Sequence, residues 1–300
     1  MRKVIVFLFF ISIYLNAQNQ PIIIVLGNVQ DGGLPHIGCS KKCCMNSSEK
    51  DYRVTSIGLN LSENKGFYLF DASPDFSDQI MMMDKYNSSL NGIFITHAHI
   101  GHYTGLMYLG KEALGSKNVK VFAMPRMSGF LEQNGPWEQL VSESNIIINR
   151  LENKKPVKLD NNLIVEPIIV PHRDEYSETV GYFINGPNKR VFYLPDIDKW
   201  EKWSISLIDV IKDSDLLFLD ATFYDNSDST INHRSIQEIP HPFVVETLNL
   251  LKSLTIKEKK KIYFIHMNHT NPMLDINSDV SSIILKQGYN IARIGQVFEL

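Results

Sequence analysis

Thr96-His97-Ala98-His99-Ile100-Gly101-His102 follows directly on the apolar run Ile93-Phe94-Ile95. The apolar run reads as the end of a buried strand. His97 and His99, two residues apart, would share a face of a regular strand, and a tight loop would turn His102 back to the same point. Neutral imidazole is the commonest nitrogen ligand for zinc and its neighbours. Three unrelated histidines, one capping a helix, are the bland alternative. With three of the chain's nine histidines in one heptapeptide, metal binding is the better reading.

The 300 residues are 44% hydrophobic and 21% charged, an ordinary globular balance able to bury a sizeable core. The formal net charge is -3, and no basic stripe asks for nucleic acid. The dense run Lys257-Glu258-Lys259-Lys260-Lys261 reads as a solvated turn. A small-molecule substrate is the expected partner.

Arg2 and Lys3 precede an apolar stretch over residues 4–15, then Asn16-Ala17 and the polar Gln18-Asn19-Gln20. This is the pattern of a signal peptide over residues 1–17, so an exported protein, periplasmic or secreted, is expected. The stretch is too short to span a bilayer comfortably, and no cysteine near the break marks a lipoprotein. Leu15 departs from the small residue preferred two before the cut.

The three cysteines, Cys39, Cys43 and Cys44, fall within six residues. An odd, clustered count makes a poor disulfide framework. Three thiolates in one loop instead suggest a closed metal site that wants one more ligand.

Strands are expected over residues 21–26, 54–61, 67–70, 119–124, 145–148, 163–170, 180–184, 191–194, 216–219 and 262–265, with a strand pair at the end of the chain. Helices are expected from a Ser73 cap with Pro74 at the first position, over 103–112, as two short pieces broken at Gly135-Pro136, and over 198–211, 243–251 and 280–286. Strand-rich halves with helices between them suggest two layered sheets covered by helices, in one domain over residues 21–300. Asp71, His172, Asp196, Asp220 and His266 each stand at the C-terminal end of an apolar strand. Strand ends gathered at one rim would hold such side chains rigidly within reach of one another.

This ordered set resembles the metallo-β-lactamase superfamily, from about residue 22 to the C-terminus. The family pattern is an acid after an early strand, a His-x-His-x-Asp-His loop, then a later His, Asp and His. Asp71, His97-x-His99-x-Gly101-His102, His172, Asp196 and His266 take those places. The resemblance implies an αββα sandwich, with His97, His99 and His172 on one metal, His102 and His266 on a second, and Asp196 bridging them. Asp71 would orient a ligand histidine. A metal-activated hydroxide would then attack the substrate with no Ser or Cys nucleophile. Gly101 departs from the pattern: the family's Asp there is a ligand, so the second site is expected to be weaker.

The context of His172, followed by Gly181-Tyr182-Phe183-Ile184, is similar to the tRNase Z and phosphodiesterase branch. Residues 264–272 and the loop over residues 27–44 resemble pyrroloquinoline quinone (PQQ) biosynthesis protein B and a cyclic phosphodiesterase. That likeness implies a structural zinc held by Cys39, Cys43, Cys44 and His269, with His36 as the substitute ligand. It also implies His241, in Ile239-Pro240-His241-Pro242, as the proton donor to the leaving group, the alternative being a turn histidine.

The expected function is therefore an exported metal-dependent hydrolase of a small ester-type substrate, a phosphodiester first. The alternatives are an iron-dependent oxygenase and a catalytically impaired metal-binding protein. Zinc is the expected ion, one or two in the active site and one structural, with manganese or iron also suited to the active site. Substrate choice is expected to come from the loops over residues 124–149 and 227–240.

Overall fold

A computed structural model describes residues 20–45, 52–61, 65–226 and 239–300. The expected signal segment lies outside the described residues, as does most of the 227–240 loop. No helix among the described residues is long and apolar enough to cross a membrane.

The first sheet takes β1 (Ile22–Gly27), β2 (Ser56–Asn60), β3 (Phe67–Phe70), β4 (Leu90–Phe94), β5 (Val119–Ala123) and β6 (Ile146–Arg150). The second takes β7 (Val157–Asp160), β8 (Leu163–Ile169), β9 (Val180–Asn185), β10 (Arg190–Leu194), β11 (Leu216–Asp220), β12 (Ile262–Ile265) and β13 (Asn290–Ile291). The last strand, β14 (Val297–Glu299), returns to pair antiparallel with β1, giving two seven-stranded sheets. Each sheet is mixed. β3 to β6 run parallel in the first, and β10 to β13 run parallel in the second. The expected terminal strand pair is corrected: β13 and β14 belong to different sheets, and β7 was not expected at all.

The sheets face each other across an apolar layer that includes Ile23, Val25, Phe70, Phe94, Tyr182, Tyr193 and Phe218. Phe94 stacks on Phe122 at 4.3 Å and on Phe70 at 5.0 Å, which fixes the strand just before the histidine loop. Helices cover both outer faces. Phe76–Asp84 and Pro125–Gln133 pack over the first sheet, Leu207–Asp213 and Asp279–Lys286 over the second. With both faces covered, β2 and β3 are buried at every residue, and alternation disappears from their burial.

Three helix expectations shift. The segment after Ser73 becomes helical only at Phe76, because Ser73 Oγ accepts from the Asp75 amide at 3.1 Å in a turn before the helix begins. The 103–112 segment is a 3₁₀ helix over Thr104–Leu109, since the Gly105 amide donates to the Ala72 carbonyl at 2.9 Å instead of to its own turn. The 198–211 helix starts only at Leu207, capped by Ser206. Upstream, Trp200–Lys202 forms only a short 3₁₀ turn, and the indoles of Trp200 and Trp203 donate to Thr247 Oγ1 at 2.8 Å and Ile169 O at 3.2 Å, which anchors the stretch outside the α-helix.

Candidate metal centre

The ends of β3, β4, β8, β10 and β12 deliver Asp71, the 97–102 loop, His172, Asp196 and His266 to one place. Asp71 (φ 71°) and His266 (φ 62°) both adopt the left-handed region, which turns each strand end sharply. Such a conformation costs a non-glycine residue about 1 kcal/mol or more, so the surrounding contacts must hold it in place.

Two donor clusters meet at Asp196. His97, His99 and His172 bring ring nitrogens within 4.8 Å of one another, and His97 Nε2 faces His99 Nδ1 at 2.8 Å. Asp196 Oδ1 lies 3.6 Å from His172 Nε2 on that side. Its other oxygen, Oδ2, lies 3.0 Å from His102 Nε2 and 3.1 Å from His266 Nε2. One carboxylate thus lies between the two histidine sets, Oδ1 towards His172 and Oδ2 towards His102 and His266, with His97 Nε2 also 4.0 Å from Oδ2.

These donors suit divalent cations. Buried polar atoms ordinarily find hydrogen-bond partners. Yet His102 Nε2, both ring nitrogens of His172 and Asp196 Oδ2 are buried without an aligned hydrogen bond, and all but His172 Nδ1 face the clusters. Imidazole nitrogens and a carboxylate in this number match the ligand chemistry of zinc.

The far sides of the rings are fixed by one device used twice. Asp71 Oδ2 sits 2.8 Å from His102 Nδ1, while Thr96 donates to Asp71 Oδ1 through its amide at 2.8 Å and its hydroxyl at 2.9 Å. The same hydroxyl is 3.0 Å from His97 Nδ1. In the second sheet Asp220 accepts from the Thr222 amide and hydroxyl at 2.9 and 2.7 Å and contacts His241 Nδ1 at 2.8 Å, and Thr222 Oγ1 meets His266 Nδ1 at 2.9 Å. Occupying Nδ1 in this way sets the tautomer that leaves Nε2 of His97, His102 and His266 for the centre.

Burial holds His97, His99 and His172 below the usual imidazole range, the neutral form that binds metals. For His102, burial acts in the same direction. Asp71, Asp196 and Asp31 overcome it and raise its pKa well above the usual value. A pocket this anionic favours positive charge, whether a proton or a cation.

Sequence reasoning missed Asp31. Its Oδ1 lies 3.1 Å from His102 Nε2 and 3.4 Å from His266 Nε2. Neither spacing nor strand pattern marks it, since it sits in a loop far from either histidine in the chain. Asp220 was noticed only as a strand-end acid, and the structure places it behind His241.

Cys39, Cys43, Cys44 and His269 form a separate four-donor cluster, within 4.8 Å of one another. None of the three cysteines is in a disulfide. His269 Nδ1 is buried without a hydrogen-bond partner, and burial lowers the His269 pKa to about 4, leaving a neutral ring. His36, the substitute ligand, stacks on His269 with ring centroids 4.2 Å apart.

Residues 67–267 match the family described as the β-lactamase superfamily domain. The chain belongs to this family. Coenzyme PQQ synthesis protein B of Pseudomonas putida is 23% identical over 306 residues, covering 92% of this chain and 99% of its own length. The Zn2+-bound PqqB structure from Methylobacterium extorquens superposes with a TM-score of 0.72 at 20% identity, covering 93% of this chain and all of that one. A diphosphatase of the PhnP family gives 0.68 at 20% identity, over 94% and 97% of the two chains. The chain is thus a metallo-β-lactamase superfamily member with the αββα sandwich its sequence led us to expect, and it is similar to PqqB and to the PhnP-family diphosphatase.

Proposed function

We propose that this metallo-β-lactamase superfamily member is a metal-dependent hydrolase of a small ester-type substrate, a phosphodiester being the leading class. The observation that carries the reading is Asp196, whose carboxylate lies between the His97-His99-His172 set and the His102-His266 set, within 4.0 Å of His97, His172, His102 and His266. When bound, a pair of divalent ions lowers the pKa of a water and neutralises charge building on the substrate oxygens. Zinc suits these donors, and manganese or iron is the substitute.

The chain's own residues complete the chemistry. Asp71 and Thr96 fix the rings of His102 and His97 from behind. His241, 3.6 Å from Asp196 Oδ1 and anchored by Asp220, is placed to hold a proton for the departing oxygen. Against burial, Asp220 raises its pKa and keeps it protonated further into neutral pH. No thiol is needed as nucleophile, since the cysteines gather with His269 in the closed cluster expected to hold a structural zinc. Similarity to a PhnP-family diphosphatase supports phosphorus esters over lactones, thioesters and β-lactams.

The test is turnover by metal-loaded protein on chromogenic phosphodiesters, lactones and β-lactams, with oxygen uptake under ferrous iron measured alongside. Phosphodiester hydrolysis that His97→Ala abolishes supports the reading. Oxygen consumption without hydrolysis would replace it with the oxidative alternative, and metal binding with neither would leave a metal-binding protein. Export is part of the proposal, on the strength of Arg2, Lys3 and the apolar residues 4–15; cell fractionation checks it.

A further inference from the structure

We propose that Asp31 is a transposed metal ligand, supplying from the loop after β1 the carboxylate that position 101 lacks. The inference rests on the metal-dependent reading above and concerns the His102 side of the centre.

Four donor atoms converge there. His102 Nε2 and His266 Nε2 lie 3.0 and 3.1 Å from Asp196 Oδ2, and 3.1 and 3.4 Å from Asp31 Oδ1. Two imidazole nitrogens and two carboxylate oxygens make a complete set for a four-coordinate ion. Without Asp31, the set is one donor short.

Asp31 also fills the space a residue-101 side chain would need. A methyl group built on Gly101 would stand 2.8 Å from both Cα and Cγ of Asp31 and closer still to Oδ1. Real side chains do not approach so closely, so a carboxylate at 101 and Asp31 in its present place exclude one another. The glycine is thus the gap through which Asp31 reaches the histidines.

The loop is fixed to the strand end that carries His266. The Gln30 amide donates to Met267 O at 2.9 Å, Met267 N donates to Asn28 O at 2.9 Å, and Asn268 Nδ2 donates to Gln30 Oε1 at 2.7 Å. The Gly33 amide closes the turn on Gln30 O at 2.8 Å, with Gly33 at φ +69°. Asp31 and His266 are therefore positioned by the same short stretch of paired backbone, which is what a rigid donor requires. An ion pair between Asp31 and a His102 cation is the competing account, and it needs no metal.

The experiment is a count and an affinity. Full-length protein is stripped and reloaded with Zn2+ or Co2+, and ions per chain are measured by elemental analysis and by competition with a chromophoric chelator. Wild type is compared with Asp31→Ala, Asp31→Asn and His97→Ala, with thermal melts of the stripped proteins reporting folding. Asp31 variants are expected to keep the His97-side and cysteine-site ions. Their affinity on the His102 side should fall by roughly 100-fold or more, above the 10–100-fold that follows loss of an outer hydrogen-bond partner. His97→Ala is expected to show the converse pattern. The double variant Asp31→Gly/Gly101→Asp, which moves the carboxylate back, should recover part of the lost affinity that Asp31→Gly alone does not.

Asp31 variants that bind every ion as tightly as wild type would overturn the proposal, even where turnover is lost. A melting temperature that falls in the stripped protein, with ion affinity unchanged, would establish the ion pair instead. Wild type that binds the full complement of ions yet hydrolyses nothing would sink the hydrolase reading alone, because the Asp31 result is read from ions and not from turnover.

Discussion

Asp220 Oδ2 and His241 Nδ1 lie 2.8 Å apart in the interior, and the same Asp220 accepts both polar hydrogens of Thr222. The arrangement repeats what Asp71 does for His102 through Thr96, on the opposite sheet. Each half of the sandwich thus ends in a buried carboxylate that aims a histidine.

If His241 protonates the leaving group, His241→Ala should slow hydrolysis of alkyl phosphodiesters by roughly 10²–10⁴-fold, the usual range for a general acid. Nitrophenyl esters, whose leaving group needs no proton, should be affected far less. Equal loss on both substrate types would refute the role.

The acid must be protonated to act, so activity should fall as pH rises through the His241 pKa. That pKa is raised because Asp220 outweighs burial. Asp220→Asn removes the negative charge and should move the alkaline limb of the kcat profile to lower pH. A limb that stays in place would show that another group sets it.

Asp71→Ala leaves His102 Nδ1 without its 2.8 Å partner, in a position with no exposure. We expect metal affinity on the His102 side to drop by about 10–100-fold, with His97-side binding less affected. Chelator competition distinguishes the two.

Cys43→Ser should cost one ion per chain while leaving the active-site ions in place, and His97→Ala should cost the His97-side ion while leaving the cysteine-site ion in place. Equal retention in both variants would end the idea of two separate sites.

Metal uptake at the cysteine site should release protons. Burial pushes the Cys44 thiol up to about 11, so near neutral pH the ion must displace its proton, whereas His269, at about 4, is already neutral. Apparent affinity should therefore rise with pH, by tenfold per unit for each proton released. A weakly buffered indicator titration measures the release, and a pH-independent affinity would contradict thiolate ligation.

The periodic, local features of this fold were legible in the chain. Apolar runs ending in His97, Asp196 and His266 announced strands with donors at their tips, because side-chain alternation and turn chemistry act over a few residues. Elements whose backbone or side-chain hydrogen bonds leave the segment were misjudged. Gly105 bonds to Ala72, and the Trp200–Trp203 stretch is held by distant acceptors, so local propensity lost to tertiary contacts.

For the site, the sequence alone placed the 97–102 histidine loop, His172, Asp196 and His266 at strand ends. The family resemblance this order carries led us to expect a metal-type cluster from His97, His99, His102, His172, Asp196 and His266. Only the tertiary structure decided that Asp31 stands in the space left by Gly101, and that Asp220 stands behind His241. Chain order records which residues are near in sequence. The coordination set depends on which backbone segments pair across the sandwich, and the pairing of the Asn28–Gln30 stretch with Met267 has no local signature.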